Sequence, residues 1–154
     1  MLDQIKNYKH INARLHTSAQ PDKDQLLQLK QAGIELVINL AHDESPGAVA
    51  DEAERIKSQG IPYINIPVDF NRPRLDDFNR FVAAMNKHSA NTILVHCACN
   101  WRVSAFVYLY RVLVEQEDRI RAEADMLAVW QPDETWQEFI AQCQVNYDGQ
   151  HAKP

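Results

Sequence analysis

The run Ile93-Leu94-Val95-His96-Cys97-Ala98-Cys99-Asn100-Trp101-Arg102-Val103-Ser104 decides how the rest of the chain is read. Thr92-Ile93-Leu94-Val95 is short, β-branched and apolar, which predicts a buried strand. Val103 to Val114 is apolar almost all round, which predicts a helix buried directly behind a sheet. Only a short loop separates the two. Such a turn aims several backbone N–H groups, and the positive end of the helix dipole, at one spot suited to an anion. Cys97 opens the loop, where that field favours the thiolate. Arg102 closes it, and a planar guanidinium can grip two oxygens of one phosphoryl group. A lone cysteine after a buried strand is commonly a packing residue. The whole order of strand, His-Cys, short loop, Arg and apolar helix is much rarer by chance, so a phosphate-binding loop is the stronger candidate.

Moving outward, Ile34 to Leu40 and Ile61 to Val68 read as further strands, and Ile11 to His16 as an edge strand. Helical patterns lie between them. Ser18 or Asp22 can cap a helix starting near Pro21, with Leu26 and Leu29 inward and Gly33 as its stop. Val49, Ala53 and Ile56 share a face of the next, which ends at Gly60. Leu75, Phe78, Val82 and Met85 form the stripe of a third. Alternating strands and helices predict an α/β fold, a central, mostly parallel sheet of four to five strands flanked by helices. The last third is helical. Ile120, Glu123, Leu127 and Trp130 are expected on one stripe; Asp133 then caps a helix with Trp136, Phe139, Ile140 and Cys143 inward, and the tail frays from Asp148.

At 154 residues, residues 1–154 are expected to form one domain. A 45% hydrophobic and 24% charged composition is that of an ordinary soluble globular protein. The net charge of -5 disfavours non-specific nucleic-acid binding but leaves room for a local positive pocket. Three cysteines, two of them one residue apart, do not make a disulfide framework, so a reducing compartment is expected. Met1 to Lys6 lacks the apolar core of a signal peptide, and no apolar run could span a bilayer. The expected location is cytoplasmic, without a membrane partner.

These residues resemble the cysteine-dependent protein phosphatases, most closely the tyrosine/dual-specificity-like branch and its small bacterial relatives. The resemblance is carried by Ser18-Ala19-Gln20-Pro21, by Gly33-Ile34 leading into Val37-Ile38-Asn39-Leu40, by Tyr63 to Asp69, and by Leu94-Val95-His96-Cys97. It implies that Cys97 attacks phosphorus in line to form a phosphocysteine. It also implies that Arg102 and the loop residues Ala98, Cys99, Asn100 and Trp101 hold the equatorial oxygens without metal or cofactor. Asp69 stands where the family places its general acid, with Asp76 and Asp77 as fallbacks that equally suit the first turn of a helix. His96 is implied to hold the loop and to favour the thiolate by hydrogen bonding. The implied partner is a phosphorylated protein or small molecule.

The sequence departs from that pattern in three ways. The family loop has five residues between cysteine and arginine, and here there are four. The shorter spacing also resembles single-domain rhodaneses, so a sulfurtransferase carrying a Cys97 persulfide is the alternative; a phosphate-binding module without turnover is another. Asn100 replaces the usual glycine, and asparagine is the residue that best tolerates a left-handed backbone after glycine. Val103 replaces the hydroxyl residue after the arginine, leaving Ser104 either to reach the thiolate or to bond a carbonyl one turn earlier. Cys99 could act as a resolving thiol or simply pack. Arg72 and Arg74 could form a positive rim, Trp101 could stack on substrate or stiffen the loop, and His42-Asp43-Glu44 reads as a solvated turn.

Overall fold

A computed structural model describes residues 1–151, and of residues 149–151 only the backbone. Its five strands are β1 (Lys9–His10), β2 (Leu15–Ser18), β3 (Leu36–Asn39), β4 (Tyr63–Asn65) and β5 (Ile93–His96). They form one sheet in the order β1-β2-β5-β3-β4, antiparallel only at β1–β2. The fold is the expected α/β arrangement. β5 lies in the middle, and every residue of it is buried. The phosphate-loop candidate therefore leaves the sheet from its best-supported strand.

The helices are α1 (Lys23–Leu26), α2 (Glu52–Lys57), α3 (Leu75–Lys87), α4 (Trp101–Leu109), α5 (Arg119–Leu127) and α6 (Glu134–His151). Two apolar clusters cover the two faces of the sheet. Leu26, Leu29, Ile34, Val37, Ile56, Ile61 and Leu94 close the face under α1 and α2. The larger cluster joins Leu36, Ile38, Ile93 and Val95 to Phe78, Phe81 and Met85 of α3 and to Phe106 of α4. Asp22 caps α1 in a reciprocal bond with Gln25, and Gly33, at φ 89°, turns the chain into β3. Ser18 is the last residue of β2 and caps nothing; its hydroxyl donates to the Ala19 carbonyl at 2.7 Å.

Three expectations are corrected. Ile11 to His16 is not an edge strand: its first half is a turn, β1 forms the edge, and β2 is an inner strand between β1 and β5. The turn is held by the Asn12 side chain, which accepts the N–H groups of Arg14 and Leu15. The stripe over Ile120 to Trp130 is out of phase. Ala122 and Met126 face inward, whereas Ile120 is 80% exposed. Asp118 sets the start of α5 by accepting the Arg121 N–H, and Asp125 turns its inner face toward buried Arg111, 2.6 Å away. Finally, α6 stays helical through His151 rather than fraying at Asp148; residues 152–154 of that expected tail lie outside the described residues.

Arg111 also reaches Glu117 at 3.0 Å. Both carboxylates are about a third exposed and can rehydrate, so Arg111→Ala should cost roughly 2 kcal/mol rather than the full penalty of a buried orphan charge. Urea unfolding of the two proteins measures this directly.

Candidate active site

The Cys97–Arg102 loop owes its shape to bonds made outside it. The Ala98 carbonyl accepts the Gln20 N–H (3.2 Å), and the Cys99 carbonyl accepts Asn7 Nδ2 (3.0 Å). The Asn100 carbonyl accepts the Ser104 N–H at 2.9 Å, the first turn of α4. The described residues contain no cis peptide bond. In a trans peptide the next N–H points opposite to the carbonyl. The amides of Cys99, Asn100 and Trp101 therefore face away from Gln20, Asn7 and the helix, as an oxyanion cradle requires.

Asn100 sits at φ 69°, in the left-handed region, and begins α4. Its Nδ2 donates to the Asn7 carbonyl (2.8 Å) and Thr17 Oγ1 (3.1 Å), while its buried Oδ1 has no partner. Two bonds lock the side chain that takes the place of a glycine.

Cys97 is 0% exposed. Arg102 is also buried, and its Nη1 donates to the Val68 carbonyl at 2.9 Å, one residue before Asp69. One of its five N–H donors is thus spent on backbone, and the others remain for an anion. This bond ties the loop to the chain that carries Asp69. Asp69 is exposed and accepts the Asn71 N–H at 2.9 Å, which curls the segment back on itself.

An aromatic bracket joins the two segments. Trp101, 39% exposed, stacks on Trp130 with centroids 5.1 Å apart and planes 2° from parallel. Phe70, next to Asp69, touches both rings at 5.8 Å and Trp136 at 5.9 Å. Trp136 Nε1 also donates to the Phe70 carbonyl at 2.8 Å. Trp101 therefore stiffens the loop while keeping one edge in solvent.

Several candidates lie elsewhere. The Ser104 hydroxyl donates to the Trp101 carbonyl (2.8 Å) and accepts from Trp130 Nε1 (2.9 Å), so it serves the helix and the bracket rather than the thiol. Asp77 is buried and bonds the Arg74 N–H and Arg80, fixing the start of α3; Asp76 is exposed on the same turn. Arg72 and Arg74 are exposed between Asp69 and α3. His42, Asp43 and Glu44 are exposed, and no three metal-ligating side chains converge among the described residues. Cys99 is half-buried and unpaired. Cys143 is core, its thiol pushed up to about 12 by burial.

One group was invisible to sequence reasoning. Glu52, the first residue of α2, is buried and lies 2.5 Å from His96 Nε2 through its Oε2. Nothing in its local sequence marks it, because an acid in a first helical turn is ordinary.

A cysteine-bearing loop between the central strand and a buried helix, closed by an arginine, is the arrangement of the cysteine-based phosphatase class of hydrolases. The family model described as DSP-PTPase phosphatase fused to NAD+ kinase matches residues 3–142, and the chain belongs to that family. A DUF442 protein of Shewanella putrefaciens CN-32, itself a candidate phosphatase, is 33% identical, with a TM-score of 0.84 over 95% of this chain and 96% of its own. PTPMT1, also solved with PI(5)P, shares the fold at a TM-score of 0.77 and 18% identity, over 96% of this chain and 99% of its own. A curated relative, the Beta-lactamase hydrolase-like protein of Xylella fastidiosa, is 28% identical over 120 residues. The matched stretch is 74% of this chain but only 27% of that relative's length. Among the described residues no helix is long and apolar enough to cross a membrane.

Proposed function

We propose that this protein is a metal-independent phosphomonoester hydrolase that works through a phosphocysteine on Cys97. The observation that carries this is the loop itself, with Cys97 and Arg102 bracketing peptides whose carbonyls are bound by Gln20, Asn7 and Ser104 at the start of α4, leaving their amides for an oxyanion. In the first step the Cys97 thiolate forms an S–P bond as the P–O bond to the leaving group breaks. Asp69 gives its proton to the departing oxygen. In the second, Asp69 takes a proton from water, whose oxygen displaces the sulfur and releases phosphate. Arg102 and the loop amides stabilise the charge spread over the equatorial oxygens in both steps.

Cys97 is closed to solvent in this conformation, so phosphorus reaches it only after the loop opens. The substrate class is a phosphomonoester on a protein or a small molecule; the PI(5)P bound by PTPMT1 is a phosphomonoester of the second kind.

Aryl-phosphate hydrolysis by the purified protein, in chelator, is the test. Turnover supports the proposal, and none at any pH from about 5 to 8, the span in which a low-lying thiolate acts, rejects it. Asp69→Asn should lower kcat by roughly a hundredfold with a poorly departing alcohol and less with a phenol that leaves unaided. Equal loss for both substrates would remove Asp69 from the acid role.

The four-residue spacing favours a second reading, a sulfurtransferase in which the Cys97 thiolate attacks the outer sulfur of an anionic sulfane donor, forming a persulfide as the donor's S–S bond breaks and, with thiosulfate, sulfite leaves. Thiosulfate treatment would then leave one added sulfur on Cys97 by mass spectrometry.

A further inference from the structure

Ser18-Ala19-Gln20-Pro21 and buried Glu52 are not explained by the phosphoryl-transfer steps, yet they meet beneath the nucleophile. Glu52 Oε1 lies 2.7 Å from Gln20 Nε2, and Oε2 lies 3.5 Å from Asn39 Nδ2 and 2.5 Å from His96 Nε2. Both amides are oriented by other groups. Gln20 Nε2 also donates to the Pro21 carbonyl at 3.0 Å, and Asn39 Oδ1 accepts the Ala41 N–H at 2.9 Å. Gln20 therefore turns its NH₂ toward Glu52 Oε1, which accepts, while Asn39 Nδ2 is shared between the Tyr63 hydroxyl at 3.0 Å and Glu52 Oε2.

His96 is wholly buried, with an acceptor at each ring nitrogen. Nε2 faces the Glu52 carboxylate, and Nδ1 makes a long 3.5 Å contact with the Cys97 carbonyl. A neutral imidazole could donate to only one of them; an imidazolium satisfies both. Gln20 further ties this cluster to the loop, since its N–H holds the Ala98 carbonyl.

We propose that Glu52 is a positioning residue for the nucleophile, holding His96 as an imidazolium whose charge, one residue from the sulfur, favours the Cys97 thiolate. This rests on Cys97 being the nucleophile. An uncompensated buried carboxylate would be costly, and three donors offset that cost. Glu52 also lines a cleft of about 260 Å³ with Asn39, His42, Asp43, Tyr63 and Asn65. The other ionisable groups facing the cluster are His42, Asp43 and Tyr63 from the cleft and Cys97 from the loop. Burial pushes the Tyr63 hydroxyl up to about 12, so it stays neutral.

The test is iodoacetamide alkylation of Cys97, resolved from Cys99 and Cys143 by mass spectrometry, over about pH 5 to 9, where reactive thiols ionise. Glu52→Gln keeps the shape but offers His96 an amide donor, so the ring becomes a neutral acceptor. Its profile should move to higher pH, with alkylation near neutral pH about tenfold slower, the scale of one lost charge-assisted hydrogen bond. Glu52→Asp, keeping the charge, should recover part of that loss. An unchanged profile in Glu52→Gln overturns the proposal while leaving Cys97 as nucleophile. Wild-type Cys97 reacting no faster than Cys143 overturns both. Nitrogen NMR of the wild-type histidines gives a readout that needs no variant: both His96 nitrogens protonated at neutral pH is expected, and a neutral ring overturns the proposal.

Discussion

Cys97→Ser is expected to reduce aryl-phosphate hydrolysis by roughly 10⁴-fold or more while leaving oxyanion binding in place. A serine hydroxyl is hardly ionised near neutral pH, and this loop offers no adjacent base to activate it. His96 sits behind the cysteine with both ring nitrogens engaged by Glu52 and the Cys97 carbonyl. The proposed binding elements are separate from the sulfur, namely Arg102, the loop amides and the start of α4. Phosphate or vanadate titrated into the variant should therefore bind about as it does in wild type. Retained hydrolysis would sink the phosphocysteine mechanism outright. Loss of hydrolysis together with loss of binding would show Cys97 to be a structural member of the loop, which its complete burial makes a real alternative. An inactive wild type that binds phosphate, or that takes up sulfur from thiosulfate, would separate the two remaining alternatives.

Those outcomes matter because the loop is short by one residue relative to the family pattern. The structure shows how the shorter loop is stabilised. Asn100 adopts the left-handed turn and is pinned by Asn7 and Thr17, and Asn7 also holds the Cys99 carbonyl. Trp101 fills the outer side of the turn against Trp130. The chain before β1 thus acts as an external brace for the loop. That long-range arrangement, spanning about ninety positions, leaves no trace in local spacing.

This separates what was legible from what was not. The strand ending at His96, the buried helix after Arg102 and the α/β alternation rest on apolar runs and on Gly33 and Gly60, signals that are local. β1 was missed because two residues paired at a hairpin edge carry no period. The phase of α5 was missed because an ion pair to Arg111 from another element, not its own apolar residues, decides which side faces in. At the site, the Cys-Arg loop could be named because its residues stand near one another, and Asp69 because it follows the Tyr63 to Val68 run, although the strand itself ends at Asn65. Glu52 could not. Its meaning comes from packing α2 against β3 and β5, which brings a first-turn acid under His96, forty-four positions away.

Trp136→Ala should destabilise the fold by about 3–5 kcal/mol, the range for emptying a buried tryptophan site. Trp136 is fully buried and packs edge-on against Phe139 (5.4 Å) and Trp130 (6.2 Å), and at a tilt against Phe70 (5.9 Å) and Phe106 (6.0 Å). Four aromatic rings with this little freedom cannot collapse far into the void, so the upper half of the range is the expectation. The informative partner variant is Trp136→Phe. It keeps much of the packing but deletes the 2.8 Å bond from Nε1 to the Phe70 carbonyl, worth about 1 kcal/mol. Phe70 adjoins Asp69 and leans on Trp101 of the phosphate loop, so that one bond helps register the proposed acid against the proposed nucleophile. If it does, Trp136→Phe lowers kcat toward poorly departing alcohols more than toward phenols, reproducing in milder form the signature of Asp69→Asn. A variant that loses stability in urea yet treats both substrates alike would show that the bracket holds the fold together without aiming Asp69.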